Sequence, residues 1–175
     1  MTHWRRFLVG GIGALGLLSL TTASVGADEG NNLLEFESMT PVTGAAVGQV
    51  NDRGIRGGGL PWAITEGQGQ LDSQGNLEVE VEGLIIPLPL PPLGNKPGNP
   101  VPNFSATVSC LTPSGVVNVT TGLFPATVPG GDSEIEAHVN LPHPCNAPEV
   151  FVGTTNATTG QFFWFARSNA ASQND

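Results

Sequence analysis

Apolar residues in this chain recur at every second position, and no window sustains the three-to-four spacing of an amphipathic helix. The clearest run is Leu77 to Ile86, where Leu77, Val79 and Val81 face one way and Glu78, Glu80 and Glu82 the other. Ser133 to Leu141 repeats the pattern, with Ile135, Ala137, Val139 and Leu141 set against Glu134, Glu136, His138 and Asn140. A period of two is the signature of strands with one buried and one wet face. The five-residue link Asp72-Ser73-Gln74-Gly75-Asn76 between two such runs predicts a hairpin.

Turn residues punctuate the rest at short intervals. Further strands are expected at 34–38, 104–111, 116–121, 124–128, 150–154 and 161–166. About eight strands with turns every 8–12 residues predict a single all-β domain, an antiparallel β-sandwich, with a small β-barrel as the alternative. Its span is residues 28–166, with 167–175 as a flexible polar tail. Pro87 to Pro102 is dense in proline, which cannot donate to a sheet ladder, so it is expected to be an extended surface crossover loop. Gly and Pro total 39 of 175 residues, and this clustering makes them the punctuation of a compact domain.

Residues 1–27 read as an export signal. Arg5 and Arg6 form a positive start, Phe7 to Leu20 is apolar, and Val25-Gly26-Ala27 resembles a cleavage site. The apolar run is about 14 residues, short of the roughly 20 that span a bilayer. The arginine pair faintly resembles a twin-arginine signal, but Trp4 stands where a polar residue is expected, which favours the general secretory route. No second long apolar run follows, so the mature chain is expected to be secreted without a membrane span. Cys110 and Cys145 are the only cysteines, and an exported chain with an even count predicts a disulfide. Closing a loop of that length stabilises the fold by about 3–4 kcal/mol in the chain-entropy model.

The formal net charge is −9, and losing Arg5 and Arg6 takes it to −11. That balance excludes nucleic acid and anionic membrane surfaces as natural partners, because both recruit positive charge. An extracellular ligand or cell-surface component is the expected partner, and nothing in the pattern calls for a cofactor.

Chemistry-bearing residues are few. Glu134, Glu136 and His138 share one strand face and His143 follows in the next loop, so these four are the candidate metal ligands, with Asp132 lying just before them. Same-face neighbours along a strand stand about 7 Å apart, so one ion could take two of them at most without another strand. The simpler reading is a solvated acidic face. Like charges along Glu78, Glu80 and Glu82 repel, so a neighbouring strand is expected to supply Arg or Lys. Gln161 to Ala166 is apolar on both faces, with Phe163 and Phe165 on one side and Phe162 and Trp164 on the other. Such a strand is either buried in the core or exposes a platform that stacks on sugar rings. Trp62, Phe163, Trp164 and Phe165 are the ligand-binding candidates on the second reading. There is no G-x-S-x-G elbow and no phosphate-binding loop, since Gly57-Gly58-Gly59 leads into Leu60-Pro61-Trp62. Three sequons begin at Asn103, Asn118 and Asn156.

The segments Gly57-Gly58-Gly59-Leu60-Pro61-Trp62, Asn99-Pro100-Val101-Pro102, Val108-Ser109-Cys110, Phe124-Pro125-Ala126-Thr127, Leu141-Pro142 to Cys145 and Pro148 to Val152 together resemble a group of small secreted, mostly bacterial, all-β proteins. The resemblance covers most of residues 38–166. It implies one exported domain with a Cys110–Cys145 bridge, and it implies no activity and no site residues. The expectation is a secreted non-enzymatic protein with a structural, adhesive or ligand-binding role, carbohydrate being one candidate. The alternative is a small hydrolase or metal-dependent enzyme using the acidic and histidine face.

Overall fold

The computed structural model describes residues 32–169. Residues 1–27, read above as an export signal, and the tail beyond Asn169 lie outside the described residues. Among the described residues, thirteen strands run in chain order: β1 (Asn32–Phe36), β2 (Met39–Pro41), β3 (Arg56–Gly57), β4 (Glu66–Asp72), β5 (Asn76–Glu82), β6 (Ile86–Leu90), β7 (Lys96–Gly98), β8 (Asn103–Thr112), β9 (Gly115–Thr120), β10 (Phe124–Pro125), β11 (Ser133–His138), β12 (Asn146–Thr155) and β13 (Phe162–Ser168). Two sheets carry the architecture. The first has the order β1-β4-β5-β11 and is antiparallel throughout. The second has the order β10-β8-β12-β13-β2, with β9 also on β8 and β3 alongside β13. The sheets do not close into a barrel.

Alternation explains which way each strand faces. Leu77, Val79, Val81 and Ile135 of the first sheet, with Phe36 and Leu71, are buried. Phe104, Ala106, Val108, Val150 and Val152 of the second sheet are all fully inaccessible. These two apolar faces form the core, and burying such side chains is the main term holding the sheets together. Cys110 of β8 is bonded to Cys145 just before β12. That bridge closes a 35-residue separation that contains β9, β10 and β11.

The hairpin between β4 and β5 has a tighter link than the five residues expected, because Asp72 and Asn76 already belong to the strands. The Asp72 carboxylate accepts the backbone N–H groups of Gln74 and Asn76 and the Asn76 side-chain amide. Gly75 takes a positive φ of 94°, and a Cβ there would sit 2.0 Å from the Val139 carbonyl oxygen. Both conditions demand glycine.

Two expectations change. The proline-dense stretch is not one extended loop: β6 and β7 pair as a small separate ribbon around the 3-10 turn Pro91–Leu93. Proline is tolerated there because the ribbon joins neither main sheet. Topologically it still carries the chain from β5 in the first sheet to β8 in the second. The tail does not begin at Arg167, because β13 runs to Ser168. Asn169 then donates its backbone N–H to the Ser38 carbonyl and its side-chain amide to the Ser38 hydroxyl, both at 3.0 Å. Among the described residues, no helix is long and apolar enough to cross a membrane.

Candidate functional site

The outer face of the first sheet gathers most of the chain's acids. Register across the strands sets Glu80 opposite Glu134 and Glu78 opposite Glu136. On the other side of β5, Gln68 stands opposite Glu80, Gln70 opposite Glu78, and Glu66 opposite Glu82. Glu35 of β1 extends one row beyond Gln70. The Gln68 amide donates to Glu80 at 2.9 Å, and the Gln70 amide donates to Glu78 at 2.7 Å. A concavity on this face is lined by Glu35, Glu37, Glu78, Glu80, Glu134 and Glu136.

The neighbouring strands therefore do not bring the expected cation. One supplies glutamines and the other supplies more glutamates. The described residues hold four Lys or Arg side chains, Arg53, Arg56, Lys96 and Arg167, and none lies on these four strands. Amides partly relieve the repulsion by donating hydrogen bonds, but directly opposed carboxylates remain.

Glu66, Gln68 and Gln70 were not singled out from the sequence, although Glu66-Gly67-Gln68-Gly69-Gln70 carries a period of two. Glycine fills the inward positions and hides the apolar half of the pattern. The structure shows why. A Cβ on Gly67 would come within 2.7 Å of Met39, and one on Gly69 within 2.7 Å of Phe36. Side chains from adjoining segments, and at Gly69 also the Glu78 carbonyl oxygen, already occupy the space a β4 side chain would take.

The candidate metal ligands are placed as follows. Glu134, Glu136 and His138 share the exposed face of β11, with His138 opposite Asn76. Asp132 is engaged elsewhere: it accepts the Gly83 N–H at 2.9 Å and the Thr127 hydroxyl at 2.8 Å. These bonds, the Gly83 N–H first, hold its carboxyl below the usual aspartate value. His143 lies on the loop before β12, in a depression with Leu33 and Ser73. Among the described residues, no three His, Cys, Asp or Glu side chains come together as a metal site.

The aromatic candidates are not an exposed platform. Trp62, Trp164 and Phe165 are all buried, and Phe163 is half-buried. Trp62 stacks on Phe165 with ring centroids 3.8 Å apart, and Phe104 meets both rings edge-on. Trp164 packs edge-on against Phe151 instead. A register shift between Val152 and Gly153 breaks strict alternation along the β12–β13 pair. It explains how adjacent Phe165 and Ala166 are both buried.

The outer face of the second sheet is built differently. Ser105, Thr107 and Ser109 of β8 point away from the main core, yet all three are buried. The segment 49–57, which ends in β3, lies over part of this face as a strap. The Asn51 side chain shapes it by accepting the N–H groups of Arg53 and Ile55. From the strap, Arg53 pairs with Glu149 at 3.3 Å and donates to the carbonyls of Ala147 and Ser109 at 2.9 and 3.4 Å. The Asn118 amide of β9 donates to the Arg53 carbonyl at 2.9 Å. Arg167 reaches the other Glu149 oxygen at 3.4 Å. Burial raises the Glu149 pKa above the usual glutamate value, against the opposing pull of Arg167 and Arg53.

No family model matches the chain, and the searches of curated proteins and of solved structures likewise returned no match.

Proposed function

We propose that this protein is exported and acts outside the cytoplasm as a non-catalytic binding or structural module. Its contact surface is the glutamate face of the first sheet, and its partner is a cationic extracellular or cell-surface component. The observation that carries this reading is the direct opposition of Glu80 with Glu134 and of Glu78 with Glu136, with no Lys or Arg on the four strands. Opposed like charges cost stability in the free protein. A cationic partner converts that cost into binding energy, because its charges neutralise several carboxylates at once. The disulfide suits an oxidising compartment. The burial of Trp62, Trp164 and Phe165 argues against sugar stacking on an aromatic row. The metal-dependent alternative gains no support, with Asp132 and His143 turned to other surroundings.

The test is retention of the mature chain on a polylysine surface across a salt series. Strong retention at low salt, falling steeply as salt screens the face, is expected. The combined variant Glu78→Gln, Glu80→Gln, Glu134→Gln, Glu136→Gln should lose most of it. A control with Asp52→Asn, an exposed carboxylate on the strap and off the first sheet, should not. Equal retention of the quadruple variant and the control would sink the reading.

A further inference from the structure

We propose that β9 pairs edge to edge with β9 of a second copy of this chain, antiparallel about a two-fold axis at Asn118. The inference rests on a different surface from the glutamate face. Among the described residues, β9 pairs as a strand with β8 alone, while its Asn118 side chain also donates to the Arg53 carbonyl of the strap. Thr112 pairs with Gly115 across the two-residue turn Pro113-Ser114. In such a hairpin the closing pair exchanges backbone hydrogen bonds and alternate pairs follow suit. The Thr121 N–H donating to the Ala106 carbonyl fits that phase. Val116, Asn118 and Thr120 therefore turn their backbone N–H and C=O groups outward, toward the free edge.

Open edges are usually blunted by charge, proline or short length. The other edges here follow that rule. β1 carries Glu35, β11 carries Glu134 and Glu136, β2 and β10 are short and contain Pro41 and Pro125, and β3 has two residues. By contrast β9, Gly-Val-Val-Asn-Val-Thr, has neither charge nor proline and is rich in β-branched residues. It lies within residues 97–131, a stretch with no Asp, Glu, Lys, Arg or His at all. Val116 and the neighbouring Leu111 are exposed at 41% and 40%.

Charge selects a second copy as the occupant. Two molecules of an acidic chain repel wherever their carboxylates meet, so an uncharged edge is where they can approach. The strand is also self-complementary in the antiparallel register centred on Asn118. That register sets Val117 opposite Val119, Val116 opposite Thr120, and Asn118 opposite itself. These are favourable cross-strand pairs. Six residues per copy make a small contact, below the roughly 1,000 Å² of a stable interface, so association is concentration-dependent.

Sedimentation of the mature chain from low to high micromolar concentration tests this. The expected result is a twofold rise in mass, favoured by added salt because screening weakens the repulsion between copies. Asn118→Lys and Asn118→Asp place like charges on the axis, and each alone should stay at the single-copy mass. Mixing the two should restore the twofold mass, since opposite charges then face each other. Val116→Lys, at an exposed position that leaves Asn118 intact, should weaken association at least tenfold, while Glu136→Lys on the β11 edge should not weaken it. Far-ultraviolet circular dichroism checks that each variant is folded. A wild-type chain that stays at single-copy mass overturns the proposal, and so does a pair that survives Asn118→Lys or a mixture that fails to associate.

Discussion

The two sheets use glutamate in opposite ways on their outer faces. On the first sheet, Glu78, Glu80, Glu134 and Glu136 are exposed, face one another across strands, and have only glutamine amides for relief. On the second, Glu149 is a single carboxylate beneath a strap, with a side chain only 17% exposed and an arginine on each oxygen. Water screens the first set, so its mutual repulsion is mild and the chain tolerates it. Burial denies Glu149 that screening, so it requires Arg53. The same residue type thus serves as a solvated surface in one place and as an anchor in the other, and exposure decides which.

The strongest way to break this comparison is to remove the anchor. Arg53→Ala strips a counter-charge from a half-buried carboxylate and leaves the Ser109 and Ala147 carbonyls short of a donor. We expect a loss of about 2–3 kcal/mol in urea unfolding. Arg167→Ala, whose side chain is 42% exposed, should cost under about 1 kcal/mol. Equal costs for the two would show that the strap does not depend on Arg53.

A smaller effect separates the carboxylates by pH. Glu149 has a folded-state pKa above the usual glutamate value. The folded chain therefore holds that proton more tightly than the unfolded chain, and this group adds stability as pH falls through the raised value. Asp132 is lowered, so its contribution is complete above the usual aspartate value and is lost as pH falls through the depressed one. Unfolding free energies of the wild type and of Glu149→Gln should move apart in favour of the wild type as pH falls through the raised value toward the usual glutamate range. For Asp132→Asn the wild-type advantage should shrink, and only at lower pH. Shifts of the same sign in both series would contradict the contrast drawn between them.

The mildest test touches the exposed face alone. Glu134→Gln removes one of two opposed charges and should stabilise the free protein by about 0.2–1 kcal/mol at low salt. The gain should fade as salt rises. A destabilised variant would mean that the face is not strained by like charge.

Much of this contrast could not be read in advance, for a reason visible in particular residues. Glu149 and Arg53 are 96 positions apart, and no local pattern links them. The strap looks in sequence like a glycine-rich linker, since its role depends on β12 and β8 lying beneath it. Trp164 and Phe165 looked equally able to face solvent or core; the register shift in the β12–β13 pair turns Phe165 in beside Ala166, and Trp164 is buried separately against Phe151. Even the glutamate face was half concealed, because Gly67 and Gly69 erase the apolar signal of β4.

What the chain's own order of residues determined is local. The period of two in β5 and β11, the Asp72–Asn76 turn and the single cysteine pair are each set within a few residues or by count. They were enough for an all-β sandwich with one disulfide. Which strands became neighbours was decided only by tertiary packing, because pairing joins segments far apart and is selected by burial of the shared core. That choice put glutamate against glutamate in the first sheet and closed Arg53 over Glu149 on the second. It also left the uncharged edge of β9 open.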